Sequence, residues 1–207
     1  MPRKPQQQRA RHTVDAIVEA AFIAVAQHGA AGATTRQIAE YAGVGVGSIY
    51  EYFEDKDAIF AAMGQRFSSE LVELIQTVTP SIVRVSLRDA IHELILQTAS
   101  FLKKNQERYL RCARESVLME KHVPFGPVYR ALSDLFLQHA IAHPEILKLQ
   151  GLQAVAYIFI NSGMSTMTRY LNHPNPSFSF EELARGLADM AGHYVDKELE
   201  KNAAAAA

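Results

Sequence analysis

The sequence has almost nothing that would fix a protein covalently. Cys112 is its one cysteine in 207 residues, which excludes an intramolecular disulfide and any multi-cysteine zinc site. Arg111 and Arg114 stand close enough to lower the pKa of that thiol, yet a lone cysteine on a helix reads as a small packing residue. Apolar runs such as Leu152 to Ile160, broken by Gln153, fall far short of the roughly 20 residues that span a bilayer. No apolar segment of the signal-peptide kind follows the basic N-terminus, so a cytoplasmic protein without a membrane partner is expected. A formal net charge of −1 excludes a protein that coats nucleic acid indiscriminately, because such binding needs excess positive charge. No stretch alternates apolar and polar residues with period two, which leaves no candidate for a half-exposed strand.

What is present is helical periodicity. Val14, Ile17, Val18, Ala21 and Val25 form one stripe, and Ile59, Met63, Phe67, Leu71, Leu74 and Val78 another. A third runs from Leu87 through Ile91, Leu94 and Thr98 to Leu102. Further helices are expected near Glu107–Lys121, Val128–Ala142, Leu147–Leu171 and Phe180–Leu199. Breakers at Pro124-Phe125-Gly126-Pro127, His143-Pro144 and His173-Pro174-Asn175-Pro176 separate them. The expected fold is all-α, with about nine helices: short ones up to residue 53, then long ones packed as a bundle.

Positive charge is placed rather than abundant. Arg3, Lys4, Arg9 and Arg11 stand in the first eleven residues with no acidic side chain among them, an arm-like distribution. Downstream, Thr34 suits an N-cap, Ile38, Ala39 and Ala42 form an inner face, and Gly43 comes where a helix must stop in a left-handed conformation. A small Ala39, a corner glycine and buried Val44 and Ile49 fit a helix-turn-helix, in which two helices cross steeply. With Ile49 and Phe53 inward, helical geometry turns Val46, Gly47, Tyr50 and Glu51 outward. Tyr50, Tyr52 and Phe53 could instead be core aromatics, but Phe53 alone suits that role. Gly47 inside a short helix costs roughly 1 kcal/mol relative to alanine, which close approach to a phosphate or base edge would explain better than packing.

From Ile17 to Phe60 the chain resembles the TetR family of transcription regulators. The resemblance rests on Ile17, Ala20, Ala21, Gly29, Thr34, Ile38-Ala39, Ala42-Gly43-Val44, Gly47-Ser48-Ile49-Tyr50, Tyr52-Phe53 and Lys56. It implies that Val46, Gly47 and Tyr50 face the major groove and that Arg36 reaches a guanine edge. Thr34, Thr35, Ser48, Tyr52 and Lys56 would hold phosphates. Asp55 would cap the fourth helix. The chain departs from the family at Gly45, where a capping serine is usual, and at Ala30, where an aromatic residue is common.

The resemblance also implies a basic arm over residues 1–12, a helix-turn-helix domain over 13–58, a ligand-sensing and dimerising domain over 59–202 and a tail over 203–207. Expected partners are a double-stranded DNA operator, a small-molecule effector and a second copy of the chain. The last two long helices would form the twofold interface, with Tyr157, Phe159, Met164, Met167 and Tyr170 on one and Leu183, Leu187, Met190, Tyr194 and Val195 on the other. Polar residues within apolar helices are the candidates for ligand contact: Tyr109, Arg111, Arg114, Glu115, Tyr129, His139, Tyr157 and Asn161.

Two other function classes fit less well. Gly43, Gly45 and Gly47 superficially resemble a phosphate loop, but no strand precedes them and no lysine-serine pair follows. Neither a Gly-x-Ser-x-Gly elbow nor a His-Glu-x-x-His helix occurs, so no reaction is assigned and no cofactor expected. His139 and His143 have the spacing of two metal ligands without a third, so no metal site is expected. A helical adaptor would leave the basic arm and the face around Tyr50 without a purpose; salt-dependent duplex binding separates it from a regulator.

Overall fold

A computed structural model describes residues 4–115, 120–173 and 175–205. Arg3 of the expected arm, part of the expected Glu107–Lys121 helix, Pro174 and the last two alanines of the tail lie outside them. The elements are α1 (Lys4–Gly32), α2 (Thr35–Ala42), α3 (Val46–Tyr50), α4 (Lys56–Ile82) and α5 (Leu87–Ala113). After these come α6 (Gly126–Ala142), a 3-10 turn (Ile146–Lys148), α7 (Leu152–Asn172) and α8 (Phe180–Ala205). No strand occurs among the described residues. The fold is all-α, as the periodicity implies. Residues Lys4 to His12 continue α1, and the third stripe and the start of the expected Glu107 helix are one element, α5, marked by left-handed Gln106 and Glu107 (φ 60° and 61°).

The chain forms two compact units: Met1–Ser68 with Leu102–Pro124, and Ser69–Phe101 with Phe125–Ala207. The first is built on α1. Its Ile17, Ala21 and Phe22 are buried with Ile38, Ile49, Ile59 and Met63. Tyr109 sits with its ring centroid 4.8 Å from that of Phe22 and 5.6 Å from that of Phe67. Cys112 is buried with its Sγ 3.9 Å from the Phe22 carbonyl oxygen. Burial foremost, and Glu115 second, push its thiol up to about 12 against the opposing pull of Arg108, so it is a packing group and not a nucleophile.

Between residues 9 and 32, α1 is long and apolar enough to cross a membrane, with mean hydropathy 1.3. No uninterrupted apolar run of that length marks it in the sequence. Its Ile17, Val18, Ala20, Ala21, Phe22, Ala24 and Val25 are buried in the core of this unit, which suits a core helix.

In the second unit, Ala140, Ile146, Leu149 and Val195 form a buried cluster with Leu87, Phe136, Leu152 and Leu199 against it. Arg88 joins α5 to α8, its Nε 3.0 Å from Asp189 and its Nη2 3.4 Å from Asp196. Gly192 makes room for that guanidinium, because a Cβ there would stand 3.0 Å from Arg88 Nε. These ion pairs are partly exposed and stabilise weakly; apolar burial carries the unit.

Candidate nucleic-acid interface and an apolar cavity

Helix α2 opens with a capping box. The Thr34 hydroxyl oxygen accepts from the Gln37 amide at 3.2 Å, while Gln37 Oε1 accepts from the Thr34 amide at 2.9 Å. Two donors that the helix start would leave unpaired are thereby satisfied. Gly43 ends α2 in the left-handed region (φ 66°, ψ 30°) and donates to the Glu40 carbonyl at 3.2 Å. Nothing would touch a Cβ at Gly43, so its requirement is conformational. Gly45 opens α3 without a side-chain cap. At the far end, the Ile49 carbonyl accepts from Tyr52 and Phe53 at 3.0 and 2.9 Å, closing a turn that buries Ile49 and Phe53. Val44 is half-buried rather than buried, since the corner after Gly43 lies at the surface.

The opposite face of α3 is open. Val46 and Tyr50, one turn apart, are 40% and 56% exposed. Gly47 is exposed, and a Cβ there would meet nothing within 4 Å. Tyr52 and Glu51 are also exposed, and Ser48 is half-buried. Beside this face, Asp55 Oδ1 accepts from the Ala58 amide at 2.8 Å and caps α4. Lys56 Nζ donates to the Ala33 carbonyl at 3.0 Å, which holds the start of α4 next to Thr34 and the start of α2. Two helix N-termini thus adjoin, each carrying partial positive charge. Arg36 is exposed and Thr35 half-buried on the first turn of α2. Tyr41 pins α2 to α1, its hydroxyl donating to Gln27 Oε1 at 2.6 Å and lying 2.9 Å from His28 Nε2.

The second unit holds a partly open cavity of about 160 Å³. Its walls come from α4, α5, α6, α7 and α8, and among the lining side chains only Thr98 and His139 carry hydrogen-bonding groups. The Thr98 hydroxyl donates back to the Leu94 carbonyl at 2.8 Å. His139 is 2% exposed, and neither ring nitrogen makes a hydrogen bond. It stacks on His143 with ring centroids 4.3 Å apart. Desolvation first, and His143 second, hold its pKa below the ordinary 6.5, against weaker opposing effects of the Ile82 carbonyl and Glu145.

Residues 17–63, which run from α1 into α4 and include all of α2 and α3, match the family described as bacterial regulatory proteins, tetR family. That stretch is TetR-like. The whole chain shares the TetR fold. It is similar to a TetR-family structure from Mesorhizobium loti MAFF303099, with a TM-score of 0.68 at 18% identity over 90% of this chain and 96% of that one. FadR from Bacillus subtilis, solved in complex with stearoyl-CoA, matches with a TM-score of 0.61 at 16% identity, covering 86% and 97% of the two chains. SmeT, the repressor of the Stenotrophomonas maltophilia multidrug efflux pump SmeDEF, gives 0.60 at 15% identity, covering 86% and 87%. No curated protein matches the chain.

In this chain, the residues expected at DNA fall on three adjoining elements: Thr34, Thr35 and Arg36 at the start of α2, Val46, Gly47, Ser48 and Tyr50 on α3, and Tyr52 and Lys56 just beyond. The residues expected at a ligand do not converge. Only His139 lines the cavity. Tyr109 is packed in the other unit, where Arg111 donates to the Ala26 carbonyl at 3.4 Å. Arg114 is exposed there too, and Glu115 Oε1 would stand 3.2 Å from a Cβ at Gly29. Tyr157 is 69% exposed, and Asn161 donates to its carbonyl at 2.8 Å. Tyr129 is half-buried on α6 and does not line the cavity. Sequence reasoning missed the apolar walls, such as Leu94, Leu132 and Met167, because it searched for polar side chains in a site that is almost wholly apolar.

Proposed function

We propose that the protein represses transcription as a homodimer on a twofold-symmetric operator and releases DNA when a small molecule fills the cavity. The outward face of α3 carries this reading: a five-residue helix leaves Val46 and Tyr50 to solvent around a glycine that packing does not require. In the complex, Val46, Gly47 and Tyr50 enter the major groove and Arg36 pairs with a guanine edge. Thr34, Thr35, Ser48, Tyr52 and Lys56 hold phosphates, as hydroxyls, an ammonium and helix N-termini can. Glu51 accepts from a cytosine amino group or turns to Arg36. Residues 1–12, helical from Lys4 as the start of α1, add positive charge to the helix-turn-helix domain of residues 13–58, and residues 59–202 sense the effector and dimerise.

The partner copy docks on α7 and α8, where Tyr157, Ile158, Met190 and Tyr194 are exposed. Such a patch of aromatic and methionine side chains suits an interface that pairs with itself. Effector control is supported by the cavity and by the stearoyl-CoA complex of B. subtilis FadR, and repression by the role of SmeT. Helix α4 carries Lys56 at its start and cavity-lining Leu71, Ile75 and Ile82 farther on. A ligand that favours one setting of this helix shifts the population away from the spacing that DNA requires, about 34–36 Å between half-sites or a multiple of it. The protein acts in the cytoplasm and catalyses no reaction.

Selection of bound sequences from a random duplex pool tests this reading. Enrichment of a palindrome bound at two protomers per site is expected; no enrichment, or an asymmetric site bound by one protomer, would refute it.

A further inference from the structure

The cavity walls describe the shape of what they enclose. Three helices contribute stripes of equal length: Leu71 to Ile82 on α4, Leu87 to Thr98 on α5, and Val128 to His139 on α6. Each spans eleven residue steps, or about 16 Å at the helical rise. The cavity therefore follows the helices as a slot. Ile82 and Leu87 flank the α4–α5 turn, and His139 faces the Ile82 carbonyl without reaching hydrogen-bonding geometry. The imidazole thus marks one end of the slot. The polar group at the other end, Thr98, is already bonded to its own helix.

A buried imidazole with two unpartnered nitrogens is an unmet demand for a hydrogen bond. In its neutral form one nitrogen donates and the other accepts, so either a hydroxyl or a carbonyl oxygen satisfies it. Apart from His139, whose burial disfavours its charged form, no acidic or basic side chain lines the slot, so a ligand charge would be buried without a standing counterion. Apart from Thr98, whose hydroxyl oxygen can still accept a hydrogen bond, the other cavity side chains offer dispersion and apolar contact only. Resting on the effector reading above, the geometry points to a slender lipophilic effector ending in an uncharged hydroxyl or carbonyl group, which hydrogen-bonds His139. Specificity then comes from slot length at one end and a single hydrogen bond at the other.

The test uses the full chain and four probes with ten-carbon chains: 1-decanol, 2-decanone, decanoate and decyltrimethylammonium. Binding is followed by calorimetry for the parent, His139→Phe and His139→Gln, with circular dichroism to establish that each variant is folded. The alcohol and ketone should bind the parent most tightly. They should lose about tenfold in affinity in His139→Phe, one hydrogen bond's worth, and recover much of it in His139→Gln, whose amide both donates and accepts. Equal affinity for all four probes, tighter binding of either ion, or no change in His139→Phe would overturn the head-group assignment while leaving the cavity as an effector site. Failure of the parent to bind any probe would overturn the cavity reading itself. Should His139→Phe not fold, the comparison of parent with His139→Gln across alcohol and ions decides alone, and unchanged ranking with unchanged affinities would contradict the proposal.

Discussion

Lys56 and Ala33, 23 residues apart, are joined by a hydrogen bond of 3.0 Å from the ammonium to the carbonyl oxygen. The same ammonium stands 5.3 Å from the Phe60 ring centroid. Lys56 therefore has a structural duty beside its proposed contact with phosphate. Lys56→Met should lower unfolding free energy by about 1.5–3 kcal/mol, the worth of a charge-assisted hydrogen bond. It should also reduce by about one the slope of log affinity against log salt for duplex binding. Urea titration and salt-dependent anisotropy measure the two effects separately.

Gly47 offers the opposite pattern. A Cβ there meets nothing, so Gly47→Ala should stabilise the chain by about 0.5–1 kcal/mol through reduced backbone entropy in the unfolded state. If the open face of α3 enters a groove, the added methyl group should weaken duplex binding at the same time. A melting temperature that rises while affinity falls is the expected pair of readings; rising stability with unchanged affinity would place Gly47 away from DNA.

Gly64 is required for packing. A Cβ on it would lie 2.2 Å from the His122 carbonyl oxygen, a backbone atom held nearby by the 2.7 Å bond from Ser68 Oγ to the Pro124 carbonyl. Gly64→Ala should destabilise by about 1–3 kcal/mol or more, as overpacking does. Chemical denaturation of this variant beside Gly47→Ala would show opposite signs for the same substitution.

The helix-turn-helix was legible in the sequence because its determinants are local. Thr34 with Gln37, Gly43 at the corner and Asp55 before α4 each act within a few residues, and each adopts the capping role its chemistry favours. The cavity was not legible in the same way. Its walls come from five helices between residues 71 and 191, and an apolar residue lining a void carries the same sequence signal as one filling a core. Tyr109 illustrates the converse. A tyrosine within an apolar helix read as a ligand group, but its ring meets Phe22, 87 positions earlier, a pairing that periodicity cannot foresee. The helical start at Lys4 carries no apolar stripe, since residues 4–9 are Lys, Pro, Gln, Gln, Gln and Arg, so periodicity does not mark it.

His139 gives stability a pH dependence of known sign. Its folded-state pKa is depressed below the ordinary 6.5, chiefly by burial and then by His143. Below about pH 6.5 the unfolded chain therefore binds a proton that the native chain refuses, and stability falls with pH through that window. Replacing His139 by leucine should flatten the decline between pH 6.5 and the lower folded-state value, while leaving the response of carboxylates at still lower pH. Urea midpoints at half-unit intervals from about pH 7.5 to 5 would reveal it.

DNA reading by the face of α3 around Tyr50 would be lost first on truncation of that side chain in Tyr50→Ala. Tyr50 is more than half exposed, so its truncation should leave the melting temperature nearly unchanged. Titration of parent and variant against the selected duplex at several salt concentrations is the measurement. Specific affinity should fall about tenfold or more, from a contact worth about 1–3 kcal/mol, with weak non-specific binding retained. Equal affinity of parent and variant for the selected sequence, with both fully folded, would contradict it.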